Sequence, residues 1–357
     1  MADTPRPKLL VLELWGLGDL TFSTPLLRAA VGRYDVTLVG KAHAQALLGP
    51  TFPTVNFIAY DAPWSAYRGK YRLWAWQWPL LFGLIGRLRR LRFDAAVSVR
   101  NDPRDHVIMW LSGARTRFGF PWKGGHFLNR PITRTKPKQH KVEDWHDLSR
   151  ALGFPGVTGV PPRLDHAAYR SGKIDDLLAA QRASGRPLVV LHPGARIPVR
   201  RWPEAYFAEI VRRLREVFDF HLALIPDPDG YGSGLAPQCD EVIPPLAVGE
   251  LVDVLGRAEF LLCNDSGPGH LAASCGRPAV VVFGPTDPDW FRPWSEHSHL
   301  AIRDICPWRP CFDYCLFREP YCMTKLLPEA VWPEILAHLR GLQESGVLTK
   351  SLTKAAQ

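Results

Sequence analysis

Short runs of β-branched and leucine-rich residues alternate with segments of helical spacing along almost the whole chain, and that alternation leaves few architectures open. Residues 8–14, 34–39, 55–60 and 94–99 read as parallel strands. Between them, 20–31 and 79–91 have helix-like spacing, so βα units and a doubly wound sheet follow. A stretch rich in glycine and proline, 153–162, interrupts the series, and 169–181 reads as helix before the alternation resumes. The second series of strands comprises 187–192, 220–225, 259–263 and 278–283. Its clearest helix begins at Pro203, a favoured first-turn residue, and sets Phe207, Ile210, Val211 and Leu214 on one face. Two Rossmann-like domains in tandem are expected, at 1–165 and 185–327, followed by a helix at 328–345 and a disordered tail over 349–357.

A length of 357 residues suits two domains, and 46% apolar with 22% charged residues is the composition of a globular chain. No stretch reaches the roughly 18 apolar residues that a membrane-spanning helix needs. Residues 1–8 are too polar for a secretory signal, so a cytoplasmic protein is expected. The net charge of +9 implies attraction to something acidic: nucleic acid, an anionic membrane face or a phosphorylated substrate. One segment, 64–92, mixes Trp64, Trp74, Trp76 and Trp78 with Arg68, Lys70, Arg72, Arg87, Arg89, Arg90 and Arg92. Two readings stay open for it: rings and cations seated in a lipid headgroup layer, or tryptophans packing a helix onto the sheet beneath solvated arginines.

Seven cysteines in such a chain are expected as thiols. Cys239, Cys263 and Cys275 sit in apolar company and read as core residues. Cys306, Cys311, Cys315 and Cys322 crowd together with spacings that fit the paired-ligand pattern of structural zinc only loosely, so packing thiols are the preferred reading and a bound metal the alternative.

Polar, glycine-bearing turns follow three of the strands. The first strand ends in Leu14-Trp15-Gly16-Leu17-Gly18-Asp19, which puts a carboxylate at the edge where parallel sheets place their sites. Taken alone, Asp19 serves either as a general base or, more simply, as a helix cap. In the second half, His192-Pro193-Gly194 closes a strand, and Arg196, Arg200 and Arg201 lead to the next helix, a cluster that fits a pyrophosphate. Asn264-Asp265-Ser266-Gly267-Pro268-Gly269-His270 delivers a strand onto a helix start, where backbone amides and the helix dipole favour an anion.

Five ordered segments carry a resemblance. They are Gly18-Asp19 with Thr24-Pro25-Leu26-Leu27; Gly113-Ala114-Arg115-Thr116-Arg117-Phe118-Gly119-Phe120; and His192-Pro193-Gly194 with Arg201-Trp202-Pro203. The others are Asn264-Asp265-Ser266-Gly267-Pro268 with His270-Leu271-Ala272-Ala273, and Phe283-Gly284-Pro285-Thr286-Asp287-Pro288. Together the chain resembles the heptosyltransferase family of inverting glycosyltransferases, which add ADP-activated heptose to the inner core of lipopolysaccharide. The resemblance implies a GT-B fold, two Rossmann-like domains with parallel sheets facing across a cleft. It places the acceptor on the first domain and the nucleotide sugar on the second, with the helix 328–345 returning to the first.

No cofactor and no metal are implied, and ADP-heptose is the implied donor. Asp19 matches the family's catalytic base, on an acceptor-side loop that includes Gly16 and Gly18. Gly194, Arg200, Arg201, Asp265, Ser266, Gly267 and His270 match donor-binding positions. Arg200 stands where many members carry lysine. His270 either bonds the phosphate or sugar or is structural. At 226–232, Pro-Asp-Pro-Asp-Gly-Tyr-Gly replaces the usual glycine turn, leaving Asp227 and Asp229 as alternatives for holding a ribose.

The implied partners are a nucleotide sugar and a lipid-linked glycan acceptor, with peripheral contact to the anionic inner membrane. Two other readings fit the same scaffold: a noncatalytic binder of nucleotide sugars or nucleic acid, and a nucleotide-sugar epimerase. Against nucleic acid, the basic residues are dispersed among helices and no recognition motif appears.

Overall fold

The computed structural model describes residues 5–65, 72–122, 124–350 and 352. Arg68 and Lys70 of the tryptophan-rich segment and most of 351–357 lie outside the described residues. The chain divides into two compact units, Met1–Pro162 and Arg163–Gln357, three residues before the boundary expected at 165.

The first unit holds β1 (Lys8–Glu13), β2 (Asp35–Gly40), β3 (Asn56–Ala59), β4 (Ala95–Val97), β5 (Thr116–Gly119) and β6 (Arg130–Pro131). The second holds β7 (Leu188–His192), β8 (His221–Leu224), β9 (Glu241–Val242), β10 (Phe260–Asn264), β11 (Ala279–Val282) and β12 (His299–Ala301). Every pairing is parallel. The orders are β3-β2-β1-β4-β5-β6 and β12-β11-β10-β7-β8-β9, so both sheets are wound in the same way. In each, the chain leaves the first strand in one direction and later returns to build on its other side. The switch points fall between β1 and β4, and between β7 and β10.

Central strands such as β7, β10 and β11 are buried throughout. Helices cover both faces of a doubly wound sheet, which is why these strands read as continuous apolar runs. Four strands toward the sheet margins, β5, β6, β9 and β12, have no such run. β6 is two exposed residues, and β5 is half-exposed and carries Thr116 and Arg117.

The single helix expected over 20–31 is two helices, Leu17–Phe22 and Thr24–Ala30. Pro25 at the second helix's first turn has no amide hydrogen and cannot continue the first, so the chain breaks at Ser23. Likewise 169–181 contains a 3₁₀ turn ending at Tyr169 and two short helices, Gly172–Leu177 and Ala179–Ser184.

Helix Glu204–Val217 buries Phe207, Ile210, Val211 and Leu214, as its spacing dictates. The closing helix, Pro328–Glu344, packs on that helix and on β12, and its stripe Val331, Ile335, Leu339 and Leu342 enters the second unit's core. The helix is counted with the second unit, in whose core its apolar stripe is buried. The start of the expected tail is ordered as well. Thr349 donates its amide and its hydroxyl to the Glu259 carboxylate at 2.7 and 2.6 Å, the Asp219 amide donates to the Leu352 carbonyl at 2.8 Å, and Leu348 and Leu352 are buried.

Because Leu339 is wholly buried in that core, Leu339→Ala should destabilise the second unit by about 2–5 kcal/mol through lost transfer energy and a residual cavity. Urea unfolding would measure the loss; a change below about 0.5 kcal/mol would mean that the helix is not part of that core.

Candidate active site

At the first switch point, β1 ends with Glu13, and Leu14-Trp15-Gly16 turns into helix Leu17–Phe22. Asp19 is the third residue of that helix. Its Oδ2 accepts the Gly16 amide at 3.2 Å, and its Oδ1 accepts a short hydrogen bond from Arg100 Nη2. Capping and charge pairing thus act on the same carboxylate, with each oxygen given a separate donor. Asp19 keeps 22% of its side-chain surface exposed, enough to meet a ligand.

Arg100 follows β4, across the switch point from Asp19. Its guanidinium lies 4.4 Å over the Trp15 ring and 3.8 Å from Glu13 Oε1. Backbone contacts seat it: its amide donates to Ser98 Oγ at 3.2 Å, and its carbonyl lies 3.1 Å from His106 Nε2. Behind it, Asp105 is fully buried and accepts from Trp64 Nε1 and Ser98 Oγ, both at 3.3 Å. Burial, with Asp102 adding to it, pushes the Asp105 carboxyl up to about 7. Glu13, 1% exposed, is pushed up to about 8, again by burial first, with Arg100 opposing and Asp19 and Asp105 reinforcing.

In the second unit, β7 ends at His192 and Gly194 follows. A Cβ on Gly194 would stand 2.7 Å from the Asp227 Cβ, so the close approach of these two loops requires glycine. The Asn264 side chain at the end of β10 fixes the neighbouring turn. It accepts the Trp202 amide at 3.1 Å and donates to the Pro193 carbonyl at 2.5 Å, tying the loops after β7 and β10 together across the switch point.

Asp265 is buried, accepts a short bond from Thr286 Oγ1 and lies 3.4 Å from Arg200 Nη1. Ser266 caps helix Gly267–Ser274 with its backbone, while its hydroxyl donates back to the Asn264 carbonyl at 3.2 Å. Gly267 opens the helix, and His270 lies buried in its first turn.

The two arginines differ in their partners. Arg200 donates to Asp313 at 3.0 Å as well as to Asp265, so it stands beside the helix start. Arg201 is turned to the 227–231 loop, bonding Asp227 at 2.8 Å, Asp229 at 2.7 Å and the Ala195 carbonyl at 2.8 Å, with Tyr231 beneath it at 4.7 Å. The structure therefore gathers Gly194, Arg200, Asp265, Ser266, Gly267 and His270 on one sheet edge and gives Arg201 a clamping position beside them.

The cysteine-rich segment adjoins this edge. The amides of Cys311 and Phe312 both donate to the Pro285 carbonyl at 3.0 Å, and Asp313 comes next. Cys306 and Cys322 are buried in the core, and burial pushes the Cys322 thiol up to about 11. Among the described residues, no three His, Cys, Asp or Glu side chains are grouped to hold a metal ion.

Arg100, Glu13, Asp105 and Asp313 escape a reading by motif, and Thr286 lies in a motif that gave it no role. The signal for Arg100 is positional, since it directly follows the predicted strand 94–99 and so falls on the same edge as Asp19.

Two doubly wound parallel sheets of one strand order, each with polar turns gathered at its switch point, make up the GT-B class of α/β protein. Residues 81–319 match Glycosyltransferase family 9 (heptosyltransferase). The chain belongs to that family. Lipopolysaccharide heptosyltransferase 2 of Escherichia coli is 27% identical over 317 residues, which cover 84% of this chain and 88% of that protein. Lipopolysaccharide heptosyltransferase 1 of Pseudomonas aeruginosa is 29% identical over 220 residues, 56% of this chain and 59% of the relative's length. Among solved structures, E. coli ADP-heptose lipopolysaccharide heptosyltransferase II superposes with a TM-score of 0.69 at 24% identity, covering 95% of this chain and 99% of that one. E. coli heptosyltransferase WaaC with ADP-2-deoxy-2-fluoro heptose gives 0.68 at 19% identity, covering 92% and 99%.

Asn264 is the residue on which the second unit's edge turns. Asn264→Ala leaves the buried Trp202 amide and Pro193 carbonyl without partners, and each unsatisfied group costs about 1–3 kcal/mol. Thermal unfolding should register the loss, with Asn264→Asp, which keeps the acceptor, falling between the two. Equal stability of all three proteins would show that the amide does not tie the loops.

Proposed function

We propose that this chain transfers a heptose, or a closely related sugar, from an ADP-sugar to a hydroxyl of lipopolysaccharide core or a similar lipid-linked glycan, inverting the anomeric centre. The observation that supports this most directly is Asp19, a partly exposed carboxylate at the sheet's switch point whose two oxygens are oriented by Arg100 and the Gly16 amide. In this reading the acceptor hydroxyl gives its proton to Asp19 as its oxygen attacks the anomeric carbon. The bond from that carbon to the diphosphate oxygen breaks, and ADP leaves with the electron pair.

The departing charge is met by Arg200 and by the backbone amides around Ser266 and Gly267, at the positive end of helix Gly267–Ser274. The diphosphate then competes with Asp265 and Asp313 for the Arg200 guanidinium. Arg201 holds the Asp227 and Asp229 loop in place, which makes that loop the candidate for the nucleoside end of the donor.

The tryptophan-rich segment supports a peripheral membrane contact. Trp64 is buried and packs at 5.2 Å on Trp76, which meets Trp78 at 5.4 Å, which in turn stacks on Phe82 at 6.2 Å. The ring series runs outward from the core. At its outer end Phe82 is 63% exposed; Trp74, in the 3₁₀ turn Leu73–Ala75, is 82% exposed, and Arg87, Arg89 and Arg90 are exposed farther along helix Trp78–Leu91. Packing explains the inner rings. The outer ones, with cations beside them, suit an anionic headgroup layer. No helix among the described residues is long and apolar enough to cross a membrane.

Asp19→Asn keeps a cap for Gly16 but removes the base. It should lower glycosyl transfer by about 10²–10⁴-fold while ADP affinity, measured by calorimetry, is unchanged. Full turnover in that variant would remove Asp19 from the chemistry, and conversion of the donor sugar without any acceptor would favour the epimerase reading. For the membrane contact, phosphatidylglycerol vesicles should retain the native protein at low salt and release it as salt rises, with Trp74→Glu and Phe82→Glu binding far less. Equal retention of native and variant proteins would locate the contact elsewhere.

A further inference from the structure

Glu13 has no role in the reaction just described, yet it lies within the same electrostatic cluster. Four ionisable side chains meet there: Glu13 at the end of β1, Asp19 on helix Leu17–Phe22, Arg100 after β4, and Asp105 on helix Pro103–Leu111. Behind Asp105, Asp102 is itself paired with Arg104. The guanidinium of Arg100 faces Glu13, Asp19 and Asp105, and Asp144 on helix Lys141–Ala151 acts on it as well.

Its commitment is uneven: a short hydrogen bond to Asp19, against 3.8 Å to Glu13. Glu13 Oε1 has the Trp15 amide at 3.2 Å, while Oε2 is buried without a hydrogen-bond partner among the described residues. Arg100 Nε is buried in the same condition. One acceptor of Glu13 and one donor of Arg100 thus stand unsatisfied on neighbouring side chains, and buried polar groups of that kind call for an explanation. Arg100 Nη2 already stands 3.8 Å from Glu13 Oε1, so a turn of Arg100 from Asp19 toward Glu13 would bring a second pairing within reach.

We propose that Glu13 is a positioning residue for Asp19, acting through Arg100: while Glu13 carries a proton, Arg100 is committed to Asp19, and when Glu13 ionises the guanidinium is divided between two carboxylates. This rests on Asp19 being the base. Burial without a donor for Oε2 disfavours the charged form of Glu13, and the nearby Asp19 and Asp105 disfavour it further. The protonated state therefore holds across neutral pH, and its loss near pH 8 alters the seating of the base. A carboxyl inert at neutral pH becomes an alkaline switch on the reaction.

The test compares the native protein with Glu13→Gln, which fixes the neutral form, across pH 6–9.5. Native kcat should fall up to about tenfold between pH 7 and pH 9 with a midpoint near 8, and that limb should be absent from Glu13→Gln. Arg100→Met should lower kcat with little change in KM for either substrate. An alkaline limb that survives in Glu13→Gln, or an Arg100→Met protein with native kcat, would overturn the proposal.

Thermal unfolding gives a reading independent of turnover. The folded pKa of Glu13 is above its ordinary value of 4.5, so the native protein loses stability relative to Glu13→Gln as pH rises from about 4.5 to about 8 and no further beyond that. A stability difference constant over that window would mean Glu13 is ionised throughout and would sink the idea. Activity retained by Asp19→Asn would instead refute the base itself, whatever Glu13 does.

Discussion

Covering both faces of the central parallel strands is the constraint from which the rest of this structure follows. With β7, β10 and β11 buried along their length, polar side chains have no place on the sheet faces and emerge only where strands end. The crevice at a switch point is where two such ends diverge, because successive connections run off in opposite directions. In both units the functional candidates sit there: Asp19 and Arg100 beyond β1 and β4, Gly194 and Asp265 beyond β7 and β10. The duplicated strand order explains why both sites have one plan, a glycine turn on one side and a charged loop on the other.

What the sequence discloses about this plan depends on whether the signal is local. Eight strands were legible because each is an apolar run, and helix Glu204–Val217 was legible because its buried residues recur at helical spacing. β6 and β9, two residues each, exist only because a neighbouring strand offers hydrogen bonds, and nothing in their own residues announces that. Asp19 could be found from its turn, whereas Arg100, 81 positions away, is joined to it by tertiary structure alone. The same limit applied to the tail. Thr349 is ordered by a carboxylate 90 positions earlier, and a polar C-terminal stretch carries no trace of that partner.

The two units also share an electrostatic arrangement that no single motif expresses. Arg100 stands between Asp19 and Glu13, Arg200 between Asp265 and Asp313, and Arg201 between Asp227 and Asp229. A guanidinium with two acidic neighbours is held in place by directed bonds yet has its charge over-compensated, so small changes in one neighbour redistribute its contacts. An anionic ligand at Arg200 must displace carboxylates rather than water alone, which reduces affinity but sharpens selection for groups that offer more than a single charge.

That balance bears on the basic surface as well. The net charge of +9 draws acidic partners from a distance, with a reach set by ionic strength, whereas these arginines are already paired and act only on contact. Long-range attraction therefore belongs to solvated cations such as Arg87, Arg89 and Arg90, and discrimination to the partly buried pairs at the strand ends. Separating the two roles allows the protein to be strongly basic without its sites becoming indiscriminate anion traps.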